Sequence, residues 1–292
     1  MPSAKINWKD YMIKLEKEYK CHGGKVGYYT HDSAEVGCSM RFSMFSPPED
    51  KQTGAYIIFL SGLSCTEDNF TTKGGAYQKA SELGLHVLTP DTSPRGEGIP
   101  DDGCYDLGQG AGFYIDAIQE PWAKNFRMES YLIKELFPEC EEFFCIDPKK
   151  KSITGHSMGG HGSITLYFKY PQKFKSCSAF APIVTPSQVP WGQKIFESYL
   201  GDDQGLWSSH DATLLVKKLE NAQSNNTILI DQGMDDLFLP AQLHPQIFEK
   251  ACKQAGQKLM LRQQDGYDHG YFFIQTFIND HLEWHKNYLC CL

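Results

Sequence analysis

A serine between glycines, ten histidines and a late run of aspartates are the residues in this chain that could do chemistry together. Ser157 lies in Gly155-His156-Ser157-Met158-Gly159, a G-x-S-x-G pattern. A hydroxyl at its free pKa is a weak nucleophile; it gains force when a histidine takes its proton and a carboxylate fixes that histidine's orientation and tautomer. Acyl transfer is the chemistry such a set performs, with backbone amides holding the negative charge that develops on the attacked carbonyl. The local context agrees. Ser152-Ile153-Thr154 favours a strand, and the small residues after the serine open a helix through Ile164, Leu166 and Phe168. The predicted strand, sharp turn and helix place the hydroxyl on a strained, exposed elbow, where flanking glycines allow strand and helix to approach.

An elbow of this kind belongs to the α/β-hydrolase architecture. There the chain order is nucleophile, acid, histidine, with the acid after a late strand and the histidine after the last one. His22, His31, His86, His156 and His161 lie before the serine or inside its helix, and His210 precedes any late acid. His244 sits near the start of a predicted helix. His281 and His285 share one face of the terminal helix, but two residues fall short of the three or four that a zinc site uses, so no metal is expected. His269 is left, in the turn-forming stretch Asp265-Gly-Tyr-Asp-His-Gly270. For the acid, Ile228 to Leu239 offers Asp231, Asp235 and Asp236. Asp231 is too close to its strand to reach across; Asp235 and Asp236 must point in different directions, and residue type alone leaves both open. The oxyanion amides should come from the loop after an early strand and from the residue following the nucleophile. Those are Leu63, in Ser61 to Thr66, and Met158. Cys65 follows Leu63 by two residues and is expected beside the crevice.

The elements needed to position these groups can be read in order. Residues 5–20 carry Ile6, Trp8, Met12, Ile13 and Leu15 in a weakly helical pattern. Val36, Cys38, Met40, Phe42 and Met44 alternate as in a half-buried strand, so an antiparallel pair should begin the sheet. Ala55 to Leu60 and Leu85 to Thr89 are apolar runs typical of strands covered on both faces. Helices are predicted over 73–83, 122–137, 211–220, 241–255 and 271–288, and further strands over 176–181, 227–231 and 258–263. Pro90 to Ile118, rich in Gly, Pro and Asp, is too long for an ordinary connection and reads as a wall of the active site. Pro182 to Gly201 leaves the carboxyl end of a strand, where an open α/β sheet binds ligands, and reads as a small lid carrying Trp191. The expectation is a single α/β-hydrolase domain over 1–292, with a mostly parallel central sheet and helices on both faces.

Composition bounds the partners. A net charge of −8 with no basic block disfavours nucleic acid and anionic membrane surfaces, leaving a small molecule as the expected partner. Neither a secretory leader nor a membrane-spanning run is evident, and the cysteines are spread without a disulfide framework, so a cytoplasmic protein with reduced thiols is expected. Cys290-Cys291-Leu292 does not form a prenylation box.

With these residues in place, the chain resembles the S-formylglutathione hydrolase family, also called esterase D, over nearly its whole length. The likeness rests on Leu60-Ser-Gly-Leu-Ser-Cys-Thr-Glu-Asp-Asn-Phe70, Pro90-Asp-Thr-Ser-Pro-Arg-Gly96, Gly110-Ala-Gly-Phe-Tyr114, Gly155-His-Ser-Met-Gly-Gly-His-Gly162, Pro190-Trp-Gly-Gln-Lys194, Asp231-Gln-Gly-Met-Asp-Asp236 and Gly266-Tyr-Asp-His269. The resemblance implies Ser157 as nucleophile, His269 as base and Asp236 as the orienting acid. It also implies hydrolysis of the small-molecule thioester S-formylglutathione to formate and glutathione in formaldehyde detoxification, without a cofactor, in a cytoplasmic enzyme that is frequently a homodimer. Trp191, in Pro-Trp-Gly, is placed by it near the acyl side of the pocket. One stretch departs: the family carries a tryptophan and a phenylalanine before Gly110, whereas this chain has Asp102-Gly-Cys-Tyr-Asp-Leu-Gly108, which puts the glutathione-side wall in question. Lys73, Arg95, Lys124 and Arg127 are the cations that could meet the glutathione carboxylates. A broad carboxylesterase or a serine acyltransferase would use the same triad.

Overall fold

Tyr56–Leu60 is buried at every residue, as a strand with helices on both faces must be, and it lies in the middle of the architecture. The computed structural model describes residues 13–219 and 226–289. Within them the strands are β1 (Lys14–Cys21), β2 (Gly24–Ser33), β3 (Cys38–Ser46), β4 (Tyr56–Leu60), β5 (His86–Pro90), β6 (Lys151–Gly155), β7 (Ser178–Phe180), β8 (Ile228–Gly233) and β9 (Leu259–Gln264). The first six pair in the order β1-β2-β3-β5-β4-β6 and the last three in the order β7-β8-β9. Parallel bridges from Ile153 to Cys177 and from His156 to Phe180 join the two sheets at β6 and β7. Pairing is antiparallel from β1 through β3 to β5 and parallel from β5 onward. The α/β fold with a mostly parallel centre is the one the apolar runs predicted.

The helices are α1 (Glu67–Lys73), α2 (Tyr77–Leu83), α3 (Met128–Ser130), α4 (Phe137–Phe143), α5 (Met158–Lys169), α6 (Pro190–Leu200), α7 (Gln204–Trp207), α8 (Ala212–Lys217), α9 (Pro245–Ala255) and α10 (Tyr271–Leu289). A π-helical turn, Tyr131–Leu136, joins α3 to α4. Helices α1, α2 and α10 pack on one another and on β5, β6 and β8, while α5, α8 and α9 form a second group on β4, β6, β7 and β9. Stacking of Phe59 on Phe70, with ring centroids 3.5 Å apart, seats α1 on β4. No helix among the described residues is long and apolar enough to cross a membrane.

Four expectations change. The helical pattern over 5–20 is instead strand β1 from Lys14 onward, its earlier part lying outside the described residues. Hairpin pairing with β2 across the turn at His22-Gly23 overrides the weak helical periodicity, and the alternating lysines and glutamates suit an exposed edge strand. The helix expected over 73–83 begins only at Tyr77, as α2, because Gly74-Gly75 ends the unforeseen helix α1 at Lys73 and glycine is a weak helix former. The helix expected over 122–137 begins only at Met128. The segment after Pro182 settles into α6, opened by Pro190 in the first turn, where a missing N–H is harmless. Cys290, Cys291 and Leu292 lie outside the described residues.

A polar chain crosses the apolar interior behind β6. Arg262 grips Asp231 with two nitrogens at 2.6 and 2.5 Å, and His281 Nε2 meets the same carboxylate at 3.0 Å. His281 Nδ1 and His285 Nε2 both bond the hydroxyl of Ser178 at 2.8 Å, and His285 Nδ1 bonds Ser176, which in turn bonds Ser152. Burial alone would raise the Asp231 carboxyl, but the bonds from His281 and Arg262 outweigh it and hold it at about 2.

Burial also lowers six histidines that the chain keeps neutral: His86 to about 4, His161, His210 and His285 to about 3, and His156 and His281 in the same direction. In the unfolded chain each would titrate near ~6.5. Between those values the unfolded state binds more protons, so stability rises with pH and is lost as pH falls below ~6.5. Each histidine contributes up to ~1.4 kcal/mol per pH unit there. Urea unfolding at pH 7, 6 and 5 is expected to show a steepening loss equivalent to several protons; a flat profile over that range would contradict the neutral assignments.

Candidate active site

Ser157 occupies the turn between β6 and α5 with φ 58° and ψ −117°, a region that L side chains rarely adopt. Two contacts hold it there. Its amide donates to the Phe180 carbonyl at 2.9 Å, and α5 starts so close to β4 that a Cβ on Gly159 would stand 1.9 Å from the Leu60 carbonyl oxygen. The loop leaving β4 is pressed against the same point: a Cβ on Gly62 would lie 3.2 Å from that of Ser157. Leu63 and Met158 therefore border the serine from opposite elements, and neither amide has an acceptor among the described residues.

The Leu63 loop is pinned on every side. Tyr114 donates to the Ser61 carbonyl at 2.8 Å, and the Ser64 amide donates to Gly110 at 2.9 Å. Thr92 and Arg95 both donate to the Cys65 carbonyl, at 2.5 and 2.7 Å, and Arg95 is itself anchored on Asp91 at 3.0 Å. Amides held this way need no reorganisation when charge develops in front of them. The long segment after Pro90 thus acts as a buttress for this loop as well as a wall.

Of the two adjacent acids, Asp236 faces His269 and Asp235 is exposed. Asp236 Oδ2 lies 2.5 Å from His269 Nδ1 and accepts from Gln232 at 3.3 Å, while Oδ1 accepts from the Phe238 amide at 2.8 Å. His269 and Ser157 line one cavity of about 270 Å³ without a hydrogen bond between them; nucleophile–base contacts commonly tighten only when substrate binds. Asp231 faces away into the buried polar chain, as its place in β8 requires.

Cys65 and Trp191 both line the cavity. Trp191 is buried, its amide donating to Gln242 at 3.1 Å and its indole N–H to Tyr105 at 3.2 Å. Phe238 packs between Trp191 and His269, with centroids 4.8 and 4.9 Å away. Tyr105 falls within Pro90 to Ile118, the stretch expected to form a wall, whereas Phe238, in the turn after β8, and Tyr271, the first residue of α10, are not singled out by the sequence, because one aromatic at a turn or helix start carries no periodic signal. Tyr105 belongs to the divergent 102–108 stretch. His156, set aside by chain order, packs against His269 with centroids 4.4 Å apart. The four cations separate: Arg95 is tied to Asp91, Arg127 pairs with Glu35 at 3.3 Å, Lys124 is exposed and lines no part of the cavity, and Lys73 lies 5.9 Å from the Tyr271 ring.

A buried serine on a strand–helix elbow, a carboxylate-anchored histidine and two unengaged amides on an α/β sheet define the serine hydrolases of the α/β-hydrolase type. Comparison with known proteins narrows this. A family model described as a putative esterase matches residues 33–284. The S-formylglutathione hydrolases of Rattus norvegicus and Bos taurus are 48% and 46% identical over 280 residues, 95% of this chain and 99% of each relative. A solved S-formylglutathione hydrolase from Agrobacterium tumefaciens superposes with a TM-score of 0.91 at 44% identity, covering 94% of this chain and 99% of that one. The chain belongs to this esterase family, among the S-formylglutathione hydrolases.

Burial raises the Cys65 thiol above its ordinary value, an effect that the Tyr271 hydroxyl 3.9 Å away and the Lys73 charge only partly offset. The thiolate is the reacting form. Inactivation by N-ethylmaleimide should therefore keep accelerating with pH beyond ~8.5, where an ordinary thiol begins to level off. Cys65→Ser should remove that phase; equal sensitivity in the variant would transfer the reaction to another thiol, such as exposed Cys104.

Proposed function

We propose that this chain hydrolyses S-formylglutathione to formate and glutathione, with Ser157 as nucleophile, His269 as general base and Asp236 as the acid that orients it. The observation that carries the reading is the 2.5 Å contact between Asp236 and His269 Nδ1, which leaves Nε2 for the serine in the shared cavity. Ser157 Oγ attacks the formyl carbon as His269 takes its proton, and the amides of Leu63 and Met158 receive the oxyanion. The C–S bond then breaks, and the glutathione sulfur leaves with the proton from His269. Water, deprotonated by the same imidazole, attacks the formyl-serine and releases formate. A thiol with a pKa of ~8.5 is a good leaving group, so the acid step demands less than in an alcohol ester. No metal or organic cofactor enters these steps. The high identity to curated S-formylglutathione hydrolases supports the substrate; the family resemblance alone supports a role in formaldehyde detoxification, a cytoplasmic location and a homodimer.

Steady-state kinetics on S-formylglutathione beside p-nitrophenyl esters tests this. Ser157→Ala should abolish turnover in a folded protein. Asp236→Asn should lower kcat by about three to four orders of magnitude, because the amide allows the wrong tautomer of His269. Asp235→Asn should cost far less, and a reversal of the two would move the acid one residue upstream. A wild type that prefers long-chain esters to S-formylglutathione would favour the carboxylesterase reading.

Trp191 supports selection for a small acyl group. A formyl group offers little to grip, so exclusion of larger chains by the indole is the stronger device, extra methylenes being worth only ~1 to 3 kcal/mol each. Trp191→Ala should raise kcat/KM for butyryl and hexanoyl esters relative to acetyl. An unchanged chain-length profile in a variant that melts like wild type would place the indole away from the acyl group.

A further inference from the structure

The glutathionyl arm brings two carboxylates and one ammonium to a protein of net charge −8, so a local cation must receive it. The cavity of about 270 Å³ is lined by both Ser157 and His269, so the reacting thioester must lie there. From that point an extended tripeptide reaches up to ~10 Å. Most cations around the site are already engaged. Arg95 bonds Asp91 and the Cys65 carbonyl, Arg127 pairs with Glu35, and Lys194, on the wall helix α6, pairs with Asp106 at 2.5 Å. Lys73 is different. It ends α1, is exposed, and has neither an ion pair nor a hydrogen bond among the described residues. Its ammonium lies 5.9 Å from the ring centroid of Tyr271, which lines the cavity and contacts Cys65. Its charge is also felt by the Cys65 thiol, inside the cavity.

Resting on the proposed substrate, we propose that Lys73 is a specificity-determining residue, an anchor at the Cys65–Tyr271 side of the mouth for a carboxylate of the glutathionyl arm. The ammonium is placed to reach a flexible anion beyond Tyr271 while the thioester lies between Ser157 and His269. The contact is solvent-exposed, so its contribution is modest and salt-sensitive. It acts on KM rather than on kcat, since the charge touches no reacting atom.

Kinetics of wild type, Lys73→Ala, Lys73→Glu and Lys73→Arg on S-formylglutathione and on neutral p-nitrophenyl acetate test this. Lys73→Ala is expected to lower kcat/KM for S-formylglutathione about two- to fivefold relative to p-nitrophenyl acetate, mainly through KM. Lys73→Glu should lower it further, and Lys73→Arg should restore most of it. Raising the salt concentration should erode the wild-type preference but not that of Lys73→Ala. A wild type that turns over S-formylglutathione with an unchanged KM in Lys73→Ala would overturn the role of Lys73 alone. Absence of turnover in the wild type would overturn the substrate reading, and the anchor with it.

Discussion

The approach of α5 to β4 leaves no room for a side chain at Gly159, and the rest of the site depends on that contact. With the helix starting against the Leu60 carbonyl, Ser157 is forced into φ 58° at the strand end. The parallel pairing of Leu60 with Gly155 brings β4 and β6 to the same level, so the Leu63 loop arrives beside the serine rather than above or below it. These two strands are neighbours although β5 lies between them in the chain, with β5 on the far side of β4. Such a reversal of strand order opens a crevice at the carboxyl ends, and the loops after β8 and β9 deliver Asp236 and His269 into it. A larger residue at 159 would move the helix, and with it the serine and the Met158 amide together.

The parts legible in the sequence are those whose physics is local. The elbow is visible because glycine, serine and a strand–helix change must coincide within a few residues, and His269 because chain order removes its rivals. The central strands are visible because burial on both faces demands continuous apolar runs. The choice between Asp235 and Asp236 was not legible from residue type, since both are aspartates in one turn. What separates them is the backbone path: the Asp235 amide bonds the Tyr267 carbonyl, which turns the next side chain inward toward His269. Likewise, Phe238 becomes a wall residue because α6 brings Trp191 against it, a long-range event. Strand β1 was misread because an edge strand of mostly charged residues lacks an apolar face to betray its period.

Behind the crevice, the chain Arg262–Asp231–His281–Ser178–His285–Ser176–Ser152 joins β9, β8, α10, β7 and β6 through directional bonds. Apolar packing alone tolerates small slippage between neighbouring elements, whereas a buried donor that loses its acceptor incurs its full desolvation cost. Registry between the strands carrying Ser157, Asp236 and His269 is thereby tied to hydrogen-bond geometry as well as to shape. His281 also stacks on Phe180 at 3.8 Å, and the Phe180 carbonyl is the acceptor for the Ser157 amide. The interior polar chain and the elbow thus share a residue.

Two imidazoles 4.4 Å apart sit beside the serine, and their surroundings assign them opposite parts in the proposed acyl transfer. His156 is buried, and among the described residues its Nε2 has no partner and no carboxylate bonds its ring. Burial first, then the charge His269 can carry, push its pKa well down, so it stays neutral. His269 has a carboxylate on Nδ1 that is itself held by Gln232 and the Phe238 amide. When His269 takes the proton of Ser157, it meets no second positive charge, only the neutral ring of His156 on one side and the ring of Phe238 on another. Low-polarity neighbours exclude water and strengthen its attraction to Asp236. In the proposed reaction the ring nearest the serine in sequence is therefore not the base, and by remaining neutral it favours the distant one in that part.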